Sequence, residues 1–339
     1  MKPSDILSAV RSTYHARAPL AIWGAPGVGK TAIAKQAREM LGVELGDSDN
    51  FGEIYLRANL IEPIDVTGLP VPNATGDRVR WLQPEFIPQD GTRGLMIIDE
   101  LPQATMAVQC ALMRLIDERP EGWHVIALGN RATDRAGAGQ IATHVLDRFT
   151  HVDYDVSRED WQKWACVSGI RPEIRGFIDF RPGLLFEFDA AERQKARAGC
   201  SPRSWARASR ILDKASADIR YELLRGTIGD GPAAELTAFV EIYEKCPNPD
   251  AILAAPETTP IPSEPSALFA ICAALADRAK QLAGPKLEAM IKYLSRLPVE
   301  FGALLMIDVL SLQPACLTIP AAGAWIGQHK AIFTQSRKS

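Results

Sequence analysis

Gly24-Ala25-Pro26-Gly27-Val28-Gly29-Lys30-Thr31 stands between the apolar run Pro19-Leu20-Ala21-Ile22-Trp23 and a segment, Thr31 to Leu41, with helical patterning. A strand that breaks into G-x-x-x-x-G-K-T and continues as a helix is built to wrap backbone N–H groups around a polyphosphate. The glycines permit the close turn, and the helix N-terminus adds a favourable dipole. In this pattern Gly24, Ala25, Pro26, Gly27, Val28 and Gly29 form the cradle, Lys30 reaches the β- and γ-phosphates, and Thr31 ligates a metal. ATP and Mg²⁺ are the cofactors this implies. The bland alternative is a glycine-rich turn with no ligand.

Further apolar runs follow at Ile54-Tyr55-Leu56, Leu95-Met96-Ile97-Ile98 and Val125-Ile126-Ala127-Leu128, with a helix pattern over Thr105 to Ile116 between the last two. An amphipathic helix is expected over residues 4–16, where Ile6, Leu7 and Val10 share one side. Buried strands alternating with helices predict an α/β fold whose mainly parallel sheet is covered on both faces. The third run ends in Asp99-Glu100. Consecutive strand residues point to opposite sides, so the two acids divide their duties. Asp99 would hold Mg²⁺, and Glu100 would orient and activate the attacking water. A second acid beside Asp99 favours hydrolysis over nucleotide binding alone.

Composition sets outer bounds. Of 339 residues, 47% are hydrophobic and 23% charged, as in a globular protein with a sizeable core. Lys and Arg number 38 against 41 Asp and Glu, for a net charge of −3, which argues against a protein that coats nucleic acid. Six cysteines (Cys110, Cys166, Cys200, Cys246, Cys272, Cys316) lack zinc-ligand spacing, so reduced, mostly buried thiols in a cytoplasmic protein are expected. The start, Met1-Lys2-Pro3-Ser4-Asp5, has no apolar run behind it and does not read as a secretory signal. Val309 to Gln328 carries no charge, but Pro314, Pro320 and its polar residues argue for short helices around a buried turn rather than a membrane span.

With these elements the sequence resembles the AAA+ ATPases, and more narrowly their MoxR-like group. Three further segments carry the resemblance. Gly129-Asn130 is similar to the sensor 1 position, Leu146-Asp147-Arg148-Phe149 to the arginine-finger segment, and Ser201-Pro202-Arg203-Ser204-Trp205 to the sensor 2 helix start. The resemblance implies a phosphate-loop NTPase core, an α-helical lid and a ring of subunits, hexameric in the family, with ATP bound between neighbours. It also implies a protein client and a partner bearing a von Willebrand factor A domain.

Each segment has a physical reading too. The Asn130 amide can position the attacking water or simply cap a turn. Arg203 sits in a first helical turn, where a cation opposes the dipole unless a phosphate binds there; otherwise it is a solvated arginine. Arg148, supplied to a neighbouring subunit, would stabilise the transition state by a factor of about 10³–10⁵. Asp147 could instead pair with it, and Arg131 and Arg135 compete for the role. Their segment resembles McrB-like relatives.

Between the second and third runs, Ile61 to Pro88 is similar to the insertion that MoxR-like proteins carry in their second helix. Asn73-Ala74-Thr75-Gly76 signals a turn, so a hairpin is expected. Arg80, Trp81 and Phe86 would then touch a client, or the hairpin packs on its own domain. Beyond Asp155 the strand signal fades. Ser157 and Ser201-Pro202 start helices, and Cys246 to Pro265 reads as a linker or long loop. The expected division is 1–156 for the nucleotide domain, 157–245 for the lid, and 246–339 for a linker and C-terminal helical domain. Glu192 to Arg210 holds six bases and one acid, with Trp205 as its one aromatic, and reads as a phosphate-facing lid surface. Trp161, Trp164 and Trp205 read as lid core. The function these features support is a ring-forming remodelling ATPase. The alternatives are a nucleic-acid-coupled motor, McrB-like or helicase-loader-like, and a nucleotide-gated scaffold.

Overall fold

The computed structural model describes residues 1–134, 139, 141–188 and 198–330, and the chain divides into two compact units, Met1–Ser157 and Arg158–Ser339. In the first unit the strands are β1 (Leu20–Trp23), β2 (Gly52–Arg57), β3 (Leu69–Pro72), β4 (Val79–Leu82), β5 (Gly94–Asp99), β6 (Trp123–Gly129) and β7 (Thr150–Asp153). Five of them form one sheet in the order β2-β5-β6-β1-β7, and every neighbouring pair is parallel. Leu95, Met96, Ile97 and Ile98 of β5 are wholly buried, as a strand covered on both faces requires. The four expected apolar runs are the four inner and edge strands β1, β2, β5 and β6. The fifth, β7, escaped notice because Thr-His-Val-Asp is largely solvent-facing and carries no apolar pattern.

The helices of this unit are α1 (Pro3–Ala16), α2 (Lys30–Glu44), α3 (Pro63–Thr67), α4 (Met106–Asp117) and α5 (Thr143–Leu146). Apolar spacing sets their buried faces: Ile6 and Val10 on α1, Ile33, Ala34, Ala37 and Leu41 on α2. Thr105 caps α4 by accepting the Val108 N–H at 3.3 Å. The insertion forms the expected hairpin, with β3 antiparallel to β4 and Val71 opposite Arg80.

The second unit is helical among its described residues. It opens with α6 (Arg158–Val167) and α7 (Pro172–Phe180). The helix Pro202–Lys214 starts at Ser201, whose side chain accepts the Ser204 N–H while the Ser204 hydroxyl takes the Ser201 N–H. Trp205 is wholly buried and donates its indole N–H to the Leu184 carbonyl at 2.7 Å; Trp161 is buried as well. The stretch Cys246 to Pro265 is not a bare linker. Asn248 caps a short helix, Pro249–Ala254, because Ile252 and Leu253 supply apolar contacts to the core. Val309 to Gln328 breaks at its prolines into the end of Val299–Leu312, a 3₁₀ turn over Pro314–Thr318 and the helix Pro320–Gln328. No helix among the described residues is long and apolar enough to cross a membrane.

One charged cluster lies inside this unit. Arg175 is 1% exposed, with Asp277 and Asp308 each 3.7 Å away and no hydrogen-bond partner for its guanidinium nitrogens among the described residues. Burial, reinforced by Asp308, pushes the Asp179 carboxyl up to about 7, and burial pushes Asp308 up to about 6.

Candidate active site

The C-terminal ends of β1, β5 and β6 lie side by side in the sheet, and the site is built at that edge. β1 runs into the glycine loop, which turns into α2 at Gly29. There φ is +112°, a conformation that side chains rarely adopt, so glycine permits the turn that starts α2 at Lys30. The first N–H groups of any helix lack intrahelical partners, and here they open at the loop. Lys30 Nζ donates to the Gly24 carbonyl at 2.6 Å, to the Ala25 carbonyl at 3.1 Å and to Asn130 Oδ1 at 2.9 Å. Thr31 Oγ1 donates to Asp99 Oδ2 at 3.0 Å. Loop, strand β5 and the residue after β6 are thus joined through Lys30–Asn130 and Thr31–Asp99.

Asn130 is buried, and it follows Gly129 for a steric reason. A Cβ on Gly129 would run into the Trp23 ring and stand 2.8 Å from Pro102 Cγ. Trp23 in turn donates its indole N–H to His151 Nδ1 at 2.9 Å, so β7 supports the strand beneath the loop.

The strand alternation invoked for Asp99 and Glu100 stops at Asp99. Glu100 is left-handed, with φ 58° and ψ 33°, and its N–H donates to Asp99 Oδ1 at 2.9 Å. A non-glycine residue held there costs on the order of 1 kcal/mol or more, and such outliers gather at functional sites. The two carboxylates are therefore separated by a backbone reversal rather than by pleat.

A residue that sequence reasoning missed completes the cluster. Tyr55 on β2 donates its hydroxyl to Asp99 Oδ2 at 2.5 Å, and burial, then the Asp99 contact, raises its phenol pKa. The signal was its place on β2 next to β5, which requires the sheet order to interpret.

The arginines separate by their partners. Arg131 is clamped by Asp153 Oδ1 at 2.9 Å, Asp155 Oδ1 at 2.8 Å and the Tyr154 carbonyl at 2.8 Å. Arg148 pairs with Asp117 rather than Asp147, with Nε at 3.0 and 2.8 Å from the two carboxylate oxygens, and donates to the His144 carbonyl at 2.6 Å. Arg135 lies outside the described residues, as does 189–197 of the basic stretch. Arg203 belongs to the second unit and is exposed in the first turn of its helix, with Arg207 and Arg210 exposed on the same helix. In the insertion Arg80 and Trp81 are exposed, whereas Phe86 packs on the core of its own unit. Of the thiols, Cys110 alone among the described residues is exposed.

No protein-family model matches the chain. No curated protein matches it either. Among solved structures, it is similar to NtrX from Brucella abortus in three forms. The first gives 12% identity and a TM-score of 0.33, over 91% of this chain and 63% of that one. The complex with ADP gives 14% and 0.35 over 99% and 68%. The complex with ATP gives 13% and 0.35 over 98% and 67%. The chain thus spans about two thirds of the length of these three structures.

Proposed function

We propose that the chain is a Mg²⁺-dependent ATPase of the AAA+ kind that assembles as a ring, hexameric by resemblance, and remodels a protein client in the cytoplasm. One juxtaposition carries the ATPase reading: Lys30 and Thr31 of the glycine loop meet Asn130, just past β6, and Asp99, the last residue of the neighbouring β5, at 2.9 and 3.0 Å. A partner bearing a von Willebrand factor A domain and the MoxR-like assignment rest on the sequence resemblance.

In this reading ATP lies with its phosphates on the 24–31 loop, and Lys30 exchanges its carbonyl partners for the β- and γ-phosphates. Thr31 and Asp99 would hold Mg²⁺, which supplies charge neutralisation at the phosphoryl oxygens. The donor set fits that ion. The Thr31 hydroxyl and the Asp99 carboxylate stand 3.0 Å apart as two hard oxygen donors, and Mg²⁺ takes one or two protein oxygens plus phosphate and water. Glu100 acts as general base toward water, and the Asn130 amide orients the same water. Arg148 serves a neighbouring subunit, and Arg203 senses phosphate from a lid over 157–245, followed by the helical end 246–339. The exposed Arg80 and Trp81 of the hairpin touch the client.

Glu100→Gln tests the core of this reading. It should still bind ATP while kcat falls by about 10²–10⁴-fold, the usual contribution of a general base. Near-normal turnover would sink the assignment. Turnover stimulated by DNA, with strongly salt-dependent binding, would favour the nucleic-acid-coupled motor, against which the net charge of −3 argues. Assembly and client activity that survive Glu100→Gln would favour the scaffold.

A further inference from the structure

We propose that Tyr55 is a positioning residue for Mg²⁺: reaching across from β2, its hydroxyl fixes the rotation of the Asp99 carboxylate that takes the metal. The proposal rests on the nucleotide-binding reading above.

Asp99 is 9% exposed, and its two oxygens are held differently. Oδ2 accepts from the Thr31 hydroxyl at 3.0 Å and the Tyr55 hydroxyl at 2.5 Å, whereas Oδ1 accepts the Glu100 N–H at 2.9 Å. A carboxylate oxygen has two in-plane lone pairs. Two hydroxyls therefore commit Oδ2 to the protein and leave acceptor capacity on Oδ1. Without Tyr55, Thr31 alone would hold that side, and the carboxylate could turn about its Cβ–Cγ bond to offer either oxygen.

The sheet puts Tyr55 in reach. β2 and β5 pair in parallel with Tyr55 opposite Ile97 and Arg57 opposite Asp99. Ile54 and Leu56 face the apolar core with Met96 and Ile98, so alternation turns Tyr55 to the other face, on which Ile97 and Asp99 lie. The Arg57 guanidinium stands 5.8 Å from the Tyr55 ring centroid, a cation–π distance that steadies the ring. A hydroxyl that donates to a carboxylate makes a charge-assisted hydrogen bond, stronger than one between neutral groups. The three donors on Asp99 are all uncharged, so its negative charge is oriented by them and left available to a cation.

Partners that orient a metal ligand typically change metal affinity by about 10–100-fold when removed. The test measures the affinity of a fluorescent ATP analogue in EDTA and across a Mg²⁺ titration, with no turnover required. Tyr55→Phe should keep the EDTA affinity within about twofold, because the loop is untouched, and should raise the Mg²⁺ midpoint about tenfold or more. Tyr55→Leu should do the same. In an Asp99→Asn background the Tyr55→Phe shift should vanish, since Tyr55 acts through that carboxylate. An unchanged midpoint in folded Tyr55→Phe overturns the proposal. So does a shift that persists beside Asp99→Asn, or one produced by Leu and not Phe, which would mean ring packing alone. If wild-type protein fails to bind the analogue at all, the nucleotide reading itself has failed, a result visible before any variant is made.

Discussion

Removing Arg148 separates a surface ion pair from a transition-state contact, because the structure sets the two magnitudes far apart. The pair with Asp117 joins side chains that are 30% and 48% exposed. Pairs this exposed contribute about 0–1 kcal/mol, and here a single nitrogen, Nε, is shared between the two carboxylate oxygens rather than a two-pronged fork. An arginine that reaches a neighbour's γ-phosphate contributes a factor of about 10³–10⁵, or roughly 4–7 kcal/mol of barrier. Arg148→Ala should therefore cut kcat at least about 10³-fold while lowering stability by no more than about 1 kcal/mol. Asp117→Asn tests the same logic from the other side. If Arg148 must leave Asp117 to act, releasing it lowers the barrier by at most about 1 kcal/mol, and kcat should rise by up to about fivefold. The assay is steady-state ATP hydrolysis beside urea unfolding of each variant. Mixed subunits complete it. Glu100→Gln supplies intact Arg148, Arg148→Ala supplies intact Glu100, and their mixture should recover activity that neither has alone. Turnover within about tenfold of wild type for Arg148→Ala would refute the reasoning and leave Arg148 a structural partner of Asp117.

Two further outcomes follow from burial. Asp179 and Asp308 have folded pKa values of about 7 and about 6, above the ordinary 3.8, so the folded protein holds protons that the unfolded chain releases between about pH 4 and pH 7. Their contribution to stability is thus lost as pH rises through that window. Moving from about pH 7.5 to about pH 5 should stabilise the wild type relative to Asp179→Asn by roughly 2 kcal/mol in urea unfolding; equal slopes would refute it. The comparison is with Asp179→Asn because His124, buried in the other unit with its pKa pushed down to about 3, loses stability in the acid direction. Gly129→Ala should overlap the Trp23 ring and Pro102, 2.8 Å away, displacing Asn130 and destabilising by about 1–3 kcal/mol; a neutral change in melting and turnover would contradict that packing.

The legible part of the fold was the part written in contiguous residues. The loop from Gly24 to Thr31 and the buried run ending in Asp99 carry their chemistry in adjacent positions, so one reading places donors, cation and carboxylate together. The hairpin of β3 and β4 was also readable, because its turn chemistry is local to Asn73–Gly76. Illegible were the elements defined by neighbours distant in sequence. β7 is an edge strand whose exposed Thr150, His151 and Asp153 need no apolar pattern to pair with β1. The helix Pro249–Ala254 is brief, and its proline- and threonine-rich surroundings hid Ile252 and Leu253, which pack because the helices around them leave an apolar face to cover.

Charge shows the same division, and it sorts the arginines. Arg131 follows Asn130 directly and looks well placed for phosphate, yet three acceptors on and after β7 already bind it, and removing it would leave Asp155 with only the Met1 ammonium and take from Asp153 the arginine it pairs with. Arg148 carries one exposed carboxylate partner and one carbonyl at the end of the short α5. Arg131 is held by two carboxylates and a carbonyl, whereas Arg148 has a single carboxylate beside its carbonyl and can leave Asp117 at a cost of about 1 kcal/mol or less. Of these two, an arginine that must reach beyond its own subunit is therefore the one held loosely. Partner count, which no spacing of residues 129–149 encodes, turns an open choice between them into one with a physical direction.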